Sequence, residues 1–390
     1  MEVRQLKERP SPGAEPQRRG AVRALEARDV ARVAQLHAQA FGAKDAASPS
    51  PPPSPPPSLE AALSRLLLEH PWSDASLPSL VFEDSGGRLI GCLGVMPRPM
   101  SLAGRDITAA VSHSFIVEPG VRSTLAAVEL ARRFIAGPQD LSLAEGSNVS
   151  RKIWERVGGV TSLVYSLCWT RPLRPGRYVL SYLSKRGLPR VLAPLLRPAF
   201  GLVDAVAPLI SRKAFSSGAP ALSAAPLDAG TLRGAIGEFA AGRSLAPRYD
   251  ERSLAWMLET LARKKERGAL QCVRVLNRRE AVGWYLYYCK PDGVGAVVQF
   301  GARPGHAEEV FEHLFHHARQ RGVVALSGQV DPALFHVYSR TDCLFHHDGA
   351  SWMLVHSRHP ELVRAIDRGD AFLTRLEGEW WISVALNTDR

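Results

Sequence analysis

The residues with the clearest chemical potential lie in FIVEPGVRSTLAAVELARRF, from Phe115 to Phe134. A β-type run, Ser114 to Val117, stops at Pro119-Gly120; Arg122 follows, and a helix begins at once. The first N–H groups of a helix have no partner inside it and stand at the positive end of its dipole. A strand that feeds such a helix directly presents those donors to an anion such as phosphate. The donors here are the amides of Gly120, Val121, Arg122, Ser123 and Thr124, and the last three add side-chain donors. The same residues also make an ordinary β–α junction, with Pro119-Gly120 as the turn and Ser123 or Thr124 as the helix cap. His113, between Ser112 and Ser114 on the strand leading into the turn, has the side-chain pKa that suits a general base. It reads equally as a half-exposed strand histidine.

Other titratable residues are less pointed. Glu118 and Glu145 stand at strand ends and read as solvated. His313, His316 and His317 share one helix, EHLFHHAR, at spacings of three and four that bring them near one face. The buried stripe there is Val310, Leu314, Phe315 and Ala318, which makes the histidines its solvated neighbours. The carboxylate or cysteine that would complete a metal site is not evident nearby, so no metal is expected.

At 390 residues and 45% hydrophobic composition, the chain can fill two cores. Lys plus Arg (49) exceed Asp plus Glu (38), a net charge of +11, which favours an anionic partner. The arginines are spread along the chain with no dense basic, aromatic-interleaved run, which argues against nucleic acid. Five cysteines lie far apart, odd in number and without a CxxC pair, as in a reducing compartment. The N-terminus lacks the apolar core of a secretory signal, and no stretch of some 18 apolar residues occurs. These features predict a cytoplasmic protein without stable membrane insertion.

The patterning supplies elements to carry the candidate residues. Residues 1–20 are charged and Pro-containing and read as a disordered tail, and SPSPPPSPPPS (48–58) is a Pro-rich insertion. A short strand near Ala21 precedes helices over 30–41 and 59–70. From Pro78 to Val117 the period changes to that of three strands separated by turns at Ser85–Gly87 and Ala103–Asp106. A helix over 123–136, a strand over 140–144, a helix over 149–157 and a strand over 160–169 complete a β-α-α-β-β-β-α-β-α-β unit, which is mixed α/β.

This order, from about Val22 to Thr170, resembles the GNAT superfamily of acyl-CoA-dependent N-acyltransferases. The family's V-x-P-x-x-R-G-x-G-x-(G/A) motif is similar to Val117-Glu118-Pro119-Gly120-Val121-Arg122-Ser123-Thr124, with Ser123-Thr124-Leu125 where the family carries glycines. Its second motif, N-x-x-A-x-x-(L/I)-Y-E-x-x-G, is matched by Asn148 to Gly159, with Trp154 at the tyrosine. The resemblance implies that the loop amides hold the pyrophosphate of coenzyme A. It implies that backbone from Phe115 to Val117 receives the acyl carbonyl, with Asn148 and Trp154 beside the cofactor. Trp154 replaces the family's acid with an indole, a poor proton donor.

Residues 171–223 lead out through RPLRPGR into apolar, basic helical sequence with Lys185, Arg186, Arg190 and Arg197. Such a segment can lie on a membrane surface or bridge two domains; its Pro and Gly breaks favour the bridge. From Ala224 the element order repeats, which suggests a degenerate second copy of the unit over 224–390. Its loop, ARPGHAEEVF, lacks the arginine and carries Glu308 and Glu309, while Tyr338 falls where the family's acidic tyrosine would. The expectation is two GNAT-like α/β domains joined by a helical bridge. The resemblance implies transfer of acetyl from acetyl-CoA to a primary amine of a small molecule or peptide. The rival readings are a non-catalytic GNAT-like scaffold and a Fem-like aminoacyl transferase using aminoacyl-tRNA.

Overall fold

The computed structural model of the protein describes residues 20–41, 55–118, 123–185, 192–210, 221–347 and 351–386. Residues 1–19 of the expected tail, most of the Pro-rich insertion, and Pro119, Gly120, Val121 and Arg122 lie outside them. The first half runs β1 (Ala21–Ala24), α1 (Val30–Phe41), α2 (Pro57–Leu67), β2 (Leu80–Glu83), β3 (Leu89–Leu102), β4 (Arg105–Val117), α3 (Ser123–Ile135), β5 (Leu141–Gly146), α4 (Asn148–Arg156), β6 (Val160–Ser162) and β7 (Cys168–Pro172). Helices α5 (Pro175–Lys185) and α6 (Leu192–Ile210) connect it to the second half. That half comprises β8 (Ser223–Pro226), α7 (Ala229–Phe239), β9 (Leu245–Pro247), α8 (Glu251–Ala262), β10 (Ala269–Asn277), β11 (Glu280–Cys289), β12 (Val294–Ala302), α9 (Ala307–Gln320), β13 (Ala325–Gln329), α10 (Phe335–Arg340), β14 (Leu344–His346), β15 (Trp352–Ser357), α11 (Pro360–Asp367) and α12 (Trp380–Leu386).

Two mixed sheets result. The first is ordered β1-β2-β3-β4-β5-β15-β6, with β9 added along β3, and the second β14-β7-β13-β12-β11-β10-β8. Each has one parallel pair, β4 with β5 and β12 with β13, in an otherwise antiparallel array. The sheets trade strands. The expected strand over 160–169 divides at a short 3-10 turn, Val164–Ser166: β6 stays in the first sheet, and β7 enters the second between β13 and β14. In return, β15 leaves the second half and inserts between β5 and β6.

Side-chain alternation explains the layers. β3, β4 and β5 are buried on both faces, so they read as near-continuous apolar runs. One core joins α1, α2, α8 and α12 to the first sheet through Leu36, Leu63, Leu66, Met257 and Trp381. On the other face α3 and α4 bury Ala126, Leu130, Phe134 and Trp154. The second sheet packs α9 and α10 around Trp169, Phe311, Leu314 and Tyr338. His313 and His317 are buried there rather than solvated. Tyr285 and Tyr287, two apart on β11, point to one face and meet their Nδ1 atoms at 2.9 and 2.8 Å. Burial pushes both imidazoles below the ordinary range, His317 to about 4, which keeps them neutral. None of the five cysteines is in a disulfide.

A second polar group is enclosed beneath α2 and α12. Arg98, on β3, is 4% exposed and donates to the Tyr249 hydroxyl (2.6 Å) and the Leu376 carbonyl (3.2 Å). Its guanidinium lies 4.4 Å from the Trp72 ring centroid. Tyr249 passes its own proton to Glu377 at 2.7 Å, and Gln299 and Thr374 donate to the same carboxylate. Burial pushes the Glu377 carboxyl up, opposed by its Thr374 and Tyr249 donors and by the charge of Arg98.

Candidate active site

The parallel pairing of β4 and β5 covers only Ala109–Val111 against Leu141–Leu143. Beyond it the strands part, since β4 stays with β3 while β5 is held by β15. A cavity of about 250 Å³ fills the opening. Ser112, Ser114 and Phe115 line it from β4, Glu145 and Gly146 from β5, Ser147, Ser150 and Trp154 from α4, His37 and Phe41 from α1, and Glu379 and Trp380 from the C-terminal segment.

The β4 wall is irregular in a useful way. Gly94 pairs with His113 and Cys92 with Ile116, so two residues of β4, Ser114 and Phe115, oppose Leu93 alone. Ser114 takes a left-handed backbone, φ 49°, uncommon for a residue other than glycine. A bulge of this kind turns backbone groups out of the ladder. The Ser114 N–H donates to the Glu379 carboxylate instead of to a strand. The Glu145 N–H, on the other side of the gap, donates to Glu379 Oε2 at 3.2 Å. Glu379 therefore bridges the two parted strands. The exchange is reciprocal: Glu145 Oε1 accepts from the Trp380 N–H at 3.1 Å and Oε2 from the Ser351 hydroxyl at 3.0 Å, and the Glu379 N–H also serves Glu145.

Two carboxylates face one small cavity. Both are only partly exposed, and both line the cavity. Burial pushes both up, opposed at Glu145 by its donors and by the charge of Arg375. For Glu379, burial and then the neighbouring Glu145 charge raise the carboxyl to about 8. Two like charges in low dielectric cannot both ionise easily, so the pair holds one proton near neutral pH. Glu379 thus keeps its proton at neutral pH and becomes a proton acceptor as pH approaches 8.

The sequence-derived candidates fall in different places. Phe115 and Trp154 line the cavity, and Trp154 spends its indole N–H on the Val355 carbonyl at 3.1 Å. Ser147, not Asn148, caps α4; Asn148 accepts from the Trp352 indole at 2.8 Å on the surface. Val117 ends β4 opposite Gly91. Ser123 and Thr124 begin α3, while Gly120, Val121 and Arg122 lie outside the described residues. His113 is wholly buried, its Nδ1 3.1 Å from the Ser114 hydroxyl and its ring against Gly94, whose missing Cβ makes room for it. Burial drives its imidazole down to about 3. Tyr338 lies in the core of the second sheet, stacked 5.7 Å from Trp169, its hydroxyl accepting from the Asp331 N–H at 3.1 Å. Burial holds that phenol well above the ordinary range. Glu379 carries no motif in the sequence, and Glu145 reads there as solvated. His37, also in the cavity, is held at about 4 by burial and is neutral. Among the described residues no group of His, Cys, Asp and Glu could hold a metal.

Solved structures share the fold of this chain. A probable N-acyltransferase from Enterococcus faecalis aligns over 87% of this chain and 72% of its own, at a TM-score of 0.54 and 11% identity. A GCN5-related N-acetyltransferase from Anabaena variabilis aligns over 86% and 72%, at 0.54 and 11%. The chain has the GCN5-related N-acetyltransferase fold. N-Myristoyltransferase of Saccharomyces cerevisiae with bound myristoyl-CoA is similar over 93% of this chain and 86% of its own, at 0.50 and 12%. No protein-family model and no curated protein matches the sequence. In this GNAT-fold chain the cavity occupies the gap between the parallel pair of the first sheet, and no helix of the described residues is long and apolar enough to cross a membrane.

Proposed function

We propose that the chain is an acyl-CoA-dependent N-acyltransferase that moves an acetyl group to a primary amine of a small molecule or peptide. The observation that carries this reading is the cavity between β4 and β5, with a bulged strand on one wall and a carboxylate raised to about 8 on the other. The neighbouring folds, N-acetyltransferase and N-myristoyltransferase, support acyl transfer as the reaction class.

The residues fit a CoA thioester in kind. The bulge aims an N–H of β4 into the cavity, serines line the walls, and the start of α3 with Arg122 would serve the phosphates. When bound, the thioester supplies the acyl carbon that the amine attacks and the sulfur that leaves. The Ser114 N–H is the preorganised donor for an acyl oxygen. Glu379 holds that donor in this structure, so an acyl oxygen taking it would free the carboxylate. The ionised fraction of Glu379, which grows as pH nears 8, accepts the proton that the amine nitrogen sheds as its bond to carbon forms, and Glu145, anchored by Ser351 and Trp380, fixes its partner's pKa. His113 and Tyr338 lie outside the cavity, and our reading gives the proton to Glu379 instead.

Thermal unfolding with and without acetyl-CoA tests this, with desulfo-CoA as control. A ligand at 100 times its Kd stabilises the native state by about 2.7 kcal/mol. The expected result is a clear rise in Tm that Arg122→Glu abolishes, followed by amine acetylation with kcat falling about 10²-fold or more in Glu379→Gln. No shift at millimolar acetyl-CoA refutes the acetyl donor. A larger shift with a long-chain acyl-CoA would move the donor toward that class.

A further inference from the structure

The second sheet repeats the parting seen in the first. β12 and β13 run parallel only over Val294–Ala296 against Ala325–Ser327, after which β12 stays with β11 and β13 with β7. β12 is also irregular just past that pair: Tyr287 faces Val297 and Leu286 faces Gln299, which leaves Val298 extra. Here a side chain of the C-terminal segment spans the opening. Arg375 donates from one nitrogen to the Val297 carbonyl of β12 at 3.1 Å and to the Ser327 carbonyl of β13 at 3.0 Å. Glu379 does the converse in the first sheet, accepting N–H groups from β4 and β5. Two bridges of opposite charge thus stand four positions apart on one segment.

That segment is fixed, and it lies on Glu145. The Thr374 carbonyl accepts from the N–H groups of Glu377 (3.0 Å) and Gly378 (3.2 Å), and the Glu377 carboxylate accepts from the Thr374 N–H at 2.8 Å. A Cβ at Gly378 would collide with Glu145 Oε1, the oxygen that accepts from the Trp380 N–H at 3.1 Å. The Arg375 guanidinium lies 4.6 Å from the centroid of the Trp380 ring. Glu145 and Arg375 also line one small cavity of about 30 Å³, together with Ser351 and Trp380. Glu145 therefore borders both this cavity and the larger one that holds Glu379.

The Arg375 charge favours an ionised Glu145, as do the Trp380 and Ser351 donors. At Glu379 the neighbouring charge that acts is that of Glu145 itself, and it works against ionisation. The other titratable groups around the pair are His37 in the larger cavity and Tyr165 and Cys168 in the smaller one; burial keeps His37 and Tyr165 uncharged. Arg375 also meets Cys168 Sγ at 4.0 Å, and its charge reaches Arg267. We propose that Arg375 is a positioning residue for the site in the first sheet: held across the gap of the second sheet, it keeps the negative charge of the carboxylate pair on Glu145 and leaves Glu379 as the group that exchanges the proton. The second half thereby supplies the first with a fixed cation. This assignment rests on the larger cavity being the acyl-transfer site.

Carbon-13 NMR of the full chain, labelled at the glutamate carboxyl carbons, tests it, with Glu145→Gln and Glu379→Gln assigning the two signals. The expected result at pH 7 is an ionised Glu145 and a protonated Glu379; the reverse overturns the proposal. Arg375→Met should send the proton toward Glu145 and lower the pH at which Glu379 ionises by about one pH unit, in the NMR titration and in the acid limb of the kcat/KM profile. Arg375→Lys, which keeps the charge, should hold Glu379 near its wild-type value. In a Glu145→Gln background Arg375→Met should move nothing. An unmoved titration in Arg375→Met, a lysine variant that behaves like the methionine one, or a shift that persists without Glu145 overturns the proposal. The NMR arm needs no acyl-CoA, and the wild-type chain alone decides it should Arg375→Met fail to fold. Failure of acetyl-CoA to bind would sink the reaction, and the NMR result would still settle where the charge sits.

Discussion

Replacing Glu379 by Gln should change the pH dependence of stability between pH 6.5 and 8. The Glu379 carboxyl rises from 4.5 to about 8 on folding. A raised acid stabilises the fold fully below its unfolded pKa, and the contribution is lost as pH climbs through the folded value. Its slope reaches at most about 1.36 kcal/mol per pH unit. The buried histidines work in the opposite direction at lower pH. His37 and His70 near 4 and His113 near 3 are neutral in the fold and charge in the unfolded chain below 6.5, so they add stability as pH rises to 6.5. Above 6.5 they fall silent, while Glu379 is still titrating. From pH 6.5 to 8 the protein should therefore lose up to about 2 kcal/mol, the product of 1.5 pH units and that slope. Urea unfolding at several pH values across the window measures it. In Glu379→Gln the Glu379 share of that loss should vanish, because a neutral amide of the same shape keeps an acceptor toward Ser114 or Glu145. An identical slope in wild type and variant would refute the raised carboxyl, and with it the argument that the pair is a base.

Two further substitutions test the surroundings. Arg98→Met leaves the Glu377 carboxylate enclosed without its counter-charge and should cost about 3–5 kcal/mol in urea unfolding. Adding Glu377→Gln should recover a large part of that, and a cost below about 1 kcal/mol for the single variant contradicts the charge pairing. Gly94→Ala puts a Cβ against the fully buried His113 ring and should cost about 1–3 kcal/mol. That cost should fall when His113→Ala is combined with it, as expected for residues in contact.

Much of this arrangement is legible in the chain. The run from Leu80 to Val117 alternates between turn signals, and β2, β3 and β4 emerge there. The helices α3 and α4 fall within a residue or so of their periodic stretches. What escapes is whatever depends on distant partners. SWMLVHS reads as a strand, yet nothing local says that β15 will join β5 of the first sheet. Glu145 looks solvated because it ends a strand; Ser351 and Trp380, more than 200 positions away, are what enclose it. Glu379 beside Trp380-Trp381 carries no signal of its own, because the cavity it faces is made by β4 and β5. His313 and His317 are likewise buried by hydroxyls from β11, a different element.

The traded strands bear on how the chain can be divided. A cut in the α5–α6 region would leave the N-terminal fragment without β15, with β5 and β6 exposing unpaired edges, and would leave β13 and β14 without β7 between them. Neither fragment would hold a closed sheet, and bare edges invite aggregation. The β15–β5 ladder joins residues over 200 positions apart, so the first sheet cannot close until most of the chain has been made. Folding should therefore be slow and strongly cooperative across both halves, with a single unfolding transition. Co-expressed fragments should recover structure only by assembling with each other. Because Glu379 follows β15, the cavity would be among the last features to form. A truncated chain would lack its carboxylate bridge, so the proposed chemistry would be withheld until synthesis is nearly complete.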